Sequence, residues 1–152
     1  MEEGMSYDYA LNKAQELGYA EADPTGDVEG LDALGKVVIL TNVVLGKKIG
    51  WKDVKRKGIT EITEEDVEKA KAEGKRWKLI GSSEIQQDGS IKAKVWPEKL
   101  PLSDPLAGVC EAINALTYHT DELGSVTIIG PGAGRRETGF SLLIDLLEIN
   151  RK

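Results

Sequence analysis

The stretch Val28–Gly46, VEGLDALGKVVILTNVVLG, decides the fold. Its VVIL segment would suit a strand by β-branching alone. The run from Asp32 to Leu45 is longer than most strands, however, and contains no internal turn, so the pattern predicts a helix that Gly46 can end. Gly30 and Gly35 weaken such a helix in isolation and permit close approach once it is packed. A helix this apolar needs cover. The expected fold is therefore α+β: a mixed β-sheet of three or four strands with helices packed mainly on one face, and the VVILTNVVL helix as its central support.

Working outward, Ser6 can cap a first helix along which Tyr9, Ala10, Leu11, Ala14 and Leu17 recur, with Gly18 as its stop. Tyr19–Glu29 reads as a loop interrupted by Pro24 and Gly26. Beyond the central helix, Trp51–Lys57 reads as a short helical turn, and a further strand is expected in GITEIT, Gly58–Thr63. Thr63 and Asp66 have capping-box spacing for another helix. RWKLIGSSEIQQ and GSIKAKVWPEKL read as two antiparallel strands around the hairpin signal Asp88-Gly89. Pro97 and Pro101 bracket a transition. SDPLAGVCEAINAL then reads as a helix with Ser103 as cap and Asp104-Pro105 in its first turn. SVTIIG reads as a strand and RRETGFSLLIDLLEI as a closing helix. No repeat or dividing linker is visible, and residues 1–152 are expected to form one domain.

The 152 residues are 40% hydrophobic and 30% charged, with a formal net charge of -6. That balance fits a folded domain and implies no nucleic-acid or anionic-membrane face. Cys110 and His119 are the only residues of their kinds. An internal disulfide, a cysteine-rich zinc site and a histidine-based metal cluster are thereby excluded. The start, MEEGMSYDYA, lacks a basic apolar leader, and no run is long enough to span a bilayer. A cytoplasmic protein is the expectation.

Two constellations could carry chemistry. Glu21, Asp23, Asp27, Glu29 and Asp32 crowd one short window before Lys36. On a helix, Asp32 and Lys36 share a face one turn apart, where Glu21 and Asp27 could approach from the loop. That arrangement offers negative ligands for an ammonium group and one cation for a polar oxygen. It could equally be a surface ion pair beside an acidic helix N-terminus. The dense apolar run after Lys36 suggests a half-buried location. The second constellation is GPGAG, Gly130–Gly134, between a strand and a helix. Close glycines let main-chain N–H groups face an anion or a flat ring, or simply make a tight turn. It is neither G-x-G-x-x-G nor a Walker A loop. Arg135 and Arg136 could hold an anion or form a solvated face. His119 reads as a cap or surface residue, Cys110 as a small buried group on a helix, and the three tryptophans as packing anchors.

The segments EGMSYDYALNKAQELGYAEADPTGDVEGLDALGKVVIL, PLSDPLAGVCEAINAL and VTIIGPGAGRRETGFSLLIDL together resemble the catalytic region of homoserine dehydrogenase. The resemblance covers almost the whole chain, and the RRETGF ending resembles the archaeal branch. It implies reversible interconversion of L-aspartate 4-semialdehyde and L-homoserine with NAD or NADP, a step toward threonine and methionine. It implies that Glu21 and Asp27 hold the substrate's amino group and order the pocket. Asp32 would lie beside the reacting end, and Lys36 would meet the substrate oxygen and assist proton transfer. Gly132, Ala133, Gly134, Glu137 and Thr138 would form a loop near the cofactor. The resemblance also implies a two-fold homodimer, to which the IKAKVW strand could contribute.

In that family a Rossmann domain and a second catalytic lysine precede these segments, and neither is found in this sequence. The expectation is a substrate-binding and dimerisation half that is inactive alone and binds no cofactor by itself. It could be a truncated product, a fragment, or one subunit of a split enzyme that works with a separate nucleotide-binding chain. A non-catalytic small-molecule binding or structural domain is the remaining alternative.

Overall fold

The computed structural model describes residues 6–151. The chain divides into two compact units, Met1–Ser103 and Asp104–Lys152.

The first unit is built on a mixed three-stranded sheet in the order β1-β3-β2. β2 (Lys75–Ile85) and β3 (Ile91–Pro101) form the expected antiparallel hairpin, in register from Lys75↔Pro101 to Ile85↔Ile91. Gly89, with φ 79°, makes its turn. β1 (Val54–Arg56) pairs parallel with β3, Val54 opposite Ala93. Side chains alternate across a strand, so Leu79, Gly81, Val95, Ala93 and Val54 share one face. Helix α3 (Leu31–Val44) lies on that face. Leu34 and Val37 pack there with Val54, Ala93 and Val95, flanked by Leu79, Ile91 and Ile49. Each of the fully buried leucine and valine side chains contributes about 1.5–3 kcal/mol. At Gly81 a Cβ would stand 2.6 Å from Val37 Cγ2, so the absent side chain sets how closely helix and sheet approach.

Helix α1 (Tyr7–Glu16) starts at Ser6, whose hydroxyl accepts from Tyr9 N–H. Helix α4 (Glu64–Ala72) has the predicted capping box, with Thr63 and Asp66 bonded reciprocally. It packs on β2, where the Trp77 indole donates to Asp66 O at 3.1 Å. Trp77 shares the face of Leu79 and Gly81, so α3 and α4 cover the same side of the sheet, as expected. The other side carries Lys92, Lys94, Trp96 and Glu98.

Three local expectations fail. The Tyr19–Glu29 loop contains a one-turn helix, α2 (Thr25–Val28). Only Trp51–Asp53 of the predicted 51–57 turn is helical, and the extra strand is Val54–Arg56 rather than Gly58–Thr63. The ladder stops there because the backbone turns to a different partner: Lys57 N–H still reaches Val95 O, but Ile59 N–H donates to Val28 O at 2.8 Å.

The third failure lies in the second unit. Ser103–Leu116 is not a helix. Asp104 rather than Ser103 caps a single 3-10 turn, Pro105–Gly108. Glu111, at φ 57°, then precedes β4 (Ile113–Thr120). β4 pairs antiparallel with β5 (Gly124–Pro131), Leu116 opposite Ile128. Pairing with the VTII segment overrides the helical spacing of Ala112, Ala115 and Leu116. The closing helix α5 (Arg135–Ile149) is present as expected.

Candidate functional site

The acidic loop is built from fixed points. Gly18, in the left-handed region at φ 75°, ends α1, and Tyr19 N–H and Ala20 N–H both fold back onto Ala14 O. From the last turn of α1, Gln15 Nε2 donates to Glu21 O at 2.9 Å and Ala22 O at 3.4 Å. Asp23 Oδ1 then accepts from Thr25 N at 3.1 Å and Thr25 Oγ1 at 2.5 Å. These bonds favour the carboxylate and hold Asp23 below the usual carboxyl range. The chain enters α2, which carries Asp27 in its first turn.

The exit of the loop is clamped from β1. Arg56 shares the α3 side of the sheet with Val54, and its guanidinium donates to the Glu29 carbonyl and to Glu29 Oε2, the latter at 3.2 Å. Thr60 Oγ1 donates to Glu29 Oε1 at 3.4 Å. Gly58 lies directly under the Val28–Glu29 backbone, where a Cβ would come within 2.7 Å of Glu29 Cα. Gly30 follows at φ 73°, a conformation that disfavours other residues, and α3 begins.

Asp32 and Lys36 do share a face of α3, and Asp32 Oδ2 sits 2.6 Å from Lys36 Nζ. The expected half-burial is not met: both side chains are exposed, Asp32 at 58% and Lys36 at 52%. Among the described residues Lys36 pairs with Asp32 and not with Glu21 or Asp27. The outer side of α3 continues as apolar surface, with Ile39 61% and Val43 76% exposed.

The glycine loop belongs to the second unit. Gly132 N–H donates to Ala112 O at 2.8 Å. A Cβ on Gly132 would collide with the Asn114 side chain, and one on Gly134 with the Glu137 carboxylate. Thr138 N–H bonds Gly134 O in the first turn of α5. Ala133, Glu137 and Thr138 are exposed. In the same unit, His119 lies on β4 and its Nδ1 is 2.9 Å from Ser125 Oγ. Cys110 follows the 3-10 turn instead of lying on a helix face. Among the described residues no group of three or more His, Cys, Asp or Glu could hold a metal ion. No helix among them is long and apolar enough to cross a membrane.

Sequence reasoning did not find Gln15, Arg56 and Thr60. Gln15 acts on carbonyls six and seven residues ahead, across a turn that no helical spacing describes. Arg56 meets Glu29 across 27 positions of chain.

A two-layer α+β domain with an acidic loop leading into a helix that bears an Asp–Lys pair is the architecture to be matched among known proteins. The homoserine dehydrogenase family model matches residues 1–147. The chain belongs to the homoserine dehydrogenase family. It is 49% identical to an NAD(+)-dependent homoserine dehydrogenase of Pseudomonas canavaninivorans over 99% of this chain and 43% of that protein. It is 42% identical to a homoserine dehydrogenase of Methanocaldococcus jannaschii over 97% of this chain and 42% of that protein. Among solved structures, the S. aureus homoserine dehydrogenase at pH 6.5 superposes with a TM-score of 0.89 at 38% identity, covering 97% of this chain and 37% of that one. The Thiobacillus denitrificans enzyme gives a TM-score of 0.90 at 36% identity, covering 99% and 35%. The chain thus spans less than half the length of these relatives.

Proposed function

We propose that these residues form the substrate side of an enzyme interconverting L-aspartate 4-semialdehyde and L-homoserine. The observation that carries the reading is the 2.6 Å Asp32–Lys36 pair on α3, at the exit of a loop held at both ends. In this reading, Glu21 and Asp27 bind the substrate ammonium. Lys36 directs its ammonium at the oxygen that alternates between hydroxyl and carbonyl, where it stabilises negative charge and passes a proton. Asp32 orients Lys36. A nicotinamide cofactor, NAD or NADP, would carry the hydride when bound, accepting it in the oxidised form and donating it in the reduced form.

Gly132, Ala133, Gly134, Glu137 and Thr138 fit one edge of such a cofactor rather than a complete site. The Gly132 N–H is already used by Ala112, and the Glu137 carboxylate against Gly134 opposes a pyrophosphate. A glycine backbone lets the face of a ring approach closely. These 152 residues contain no dinucleotide fingerprint, so the phosphates require a nucleotide-binding module beyond them. The reading includes a homodimer. Ala93 and Val95 are buried under α3, so a dimer through β3 uses the opposite face, where Trp96 is 40% exposed. A monomeric mass by light scattering at high micromolar concentration overturns the dimer.

The test of function is a steady-state assay with homoserine and either cofactor. The 152-residue polypeptide alone is expected to fall well below about 1 per second. The same residues joined to, or mixed with, the nucleotide-binding half of a relative are expected to turn over. No activity in the assembled form overturns the reading.

A further inference from the structure

We propose that Gln15 is a positioning residue for the ammonium-binding loop, acting on Glu21 through the main chain. The proposal rests on the reading of Glu21 as a substrate ligand. Both acceptors of the Gln15 side chain are carbonyl oxygens, Glu21 O at 2.9 Å and Ala22 O at 3.4 Å. Carbonyls cannot donate, so only the NH2 end of the amide satisfies them, and the orientation of the side chain is fixed by chemistry. The base from which Gln15 reaches is itself anchored, because Gly18 N–H returns to Gln15 O and Tyr19 N–H to Ala14 O.

Downstream, the next fixed point is the Asp23–Thr25 turn. Glu21 and Ala22 lie between these anchors, and Gln15 bridges them. Among the described residues the Glu21 carboxylate itself takes no hydrogen bond or ion pair. An unpaired carboxylate on a fixed backbone leaves only its own side chain to be ordered at the moment a cation binds. Lys36 and Asp32 stand on α3, which the sheet holds independently. Loss of the Gln15 donor therefore loosens recognition and leaves the reacting end in place.

The test uses Gln15→Glu, which keeps the shape but sets an oxygen against two carbonyls, and Gln15→Met, which keeps the bulk without a donor. In the assembled enzyme both are expected to raise KM for homoserine about 3- to 10-fold, the range of one lost neutral hydrogen bond, with kcat within about two-fold. In the 152-residue chain, amide exchange at Tyr19 and Ala20, whose N–H groups return to Ala14 O, is expected to speed up, while β2 and β3 keep their protection. Unchanged exchange, or unchanged KM in both variants of an active enzyme, overturns the proposal. A fall in thermal midpoint with KM unmoved also overturns it, because that is the signature of a merely structural glutamine. An inactive wild-type assembly overturns instead the homoserine reading on which this role depends, and the exchange arm still decides whether Gln15 holds the loop.

Discussion

Helices α3 and α5 both carry a run of large apolar residues and have opposite fates. In α3, Leu34, Val37 and Thr41 are buried, and the first two pack with Val54, Ala93 and Val95 of the sheet. In α5 no residue is buried, and Phe140, Leu146 and Ile149 are 63%, 65% and 71% exposed. The difference teaches that apolar spacing states a need for cover without saying where the cover is encoded. For α3 it is encoded within the same compact unit, in strands that follow it in sequence. For α5 the second unit offers a two-stranded hairpin, which is rarely enough to stabilise itself. The outer side of α3, with Lys36 and the exposed Ile39 and Val43, resembles α5 more than it resembles its own inner side.

If that outer side is functional, its largest effect is kinetic. Lys36→Ala in the assembled enzyme is expected to lower kcat about 10²–10⁴-fold, with the thermal midpoint nearly unchanged. A half-exposed ion pair at this spacing contributes only about 0.3–0.5 kcal/mol to stability. Measured kcat beside the melting temperature separates the two readings. An unaltered kcat would make Asp32–Lys36 an ordinary surface pair and erase the contrast between the two sides of α3.

The inner side should respond in stability instead. Leu34→Ala removes a side chain that is 4% exposed, and about 2–5 kcal/mol of unfolding free energy is expected to go with it. Leu143→Ala on α5, at 50% exposure, is expected to change the stability of the 152-residue chain by less than about 0.5 kcal/mol. Urea titrations of the two variants give the comparison directly. Equal losses would show that α5 is covered within the chain after all. Gly58→Ala falls between them, at about 1–3 kcal/mol, because the new methyl meets the Val28–Glu29 backbone and nothing flexible can yield.

The sequence made α3, the β2–β3 hairpin, the start of α4 and the closing helix legible, because each carries its own local signal: a long apolar run, Asp88-Gly89, a capping box, a glycine turn. It hid β1 and β4. Val54–Arg56 is a strand only because β3 lies beside it, and INALTYHT becomes a strand by pairing with GSVTIIGP. The Asp32–Lys36 pairing was legible from spacing. The clamps on the acidic loop were not, since Gln15–Glu21 crosses a turn and Arg56–Glu29 joins distant segments. Such contacts exist only once the chain has folded.

The smallest effect expected is on pH dependence, and it again sets one kind of region against another. Asp23 and Asp66 are each held below the usual carboxyl range, first by a hydrogen bond from a threonine hydroxyl and then by one from a main-chain N–H. Thr25 donates both bonds to Asp23, and Thr63 donates both to Asp66. For a carboxyl whose folded pKa is depressed, the unfolded state binds more protons in the window between the two values. The stability each contributes is therefore complete above about pH 4 and is lost as pH falls through the lowered native value. Both groups are fully exposed, so the dependence is shallow and weakens with added salt. Asp66→Asn should flatten the acid limb of a melting curve by removing the capping box of α4, and Asp23→Asn should do the same through the turn before α2. Because Asp23 lies in the proposed site and Asp66 does not, the assembled enzyme separates them. KM should rise in Asp23→Asn alone, as the turn beside Glu21 loosens. Equal KM in both variants would mean that this turn, unlike the Gln15 contact, has no hold on the ammonium ligands.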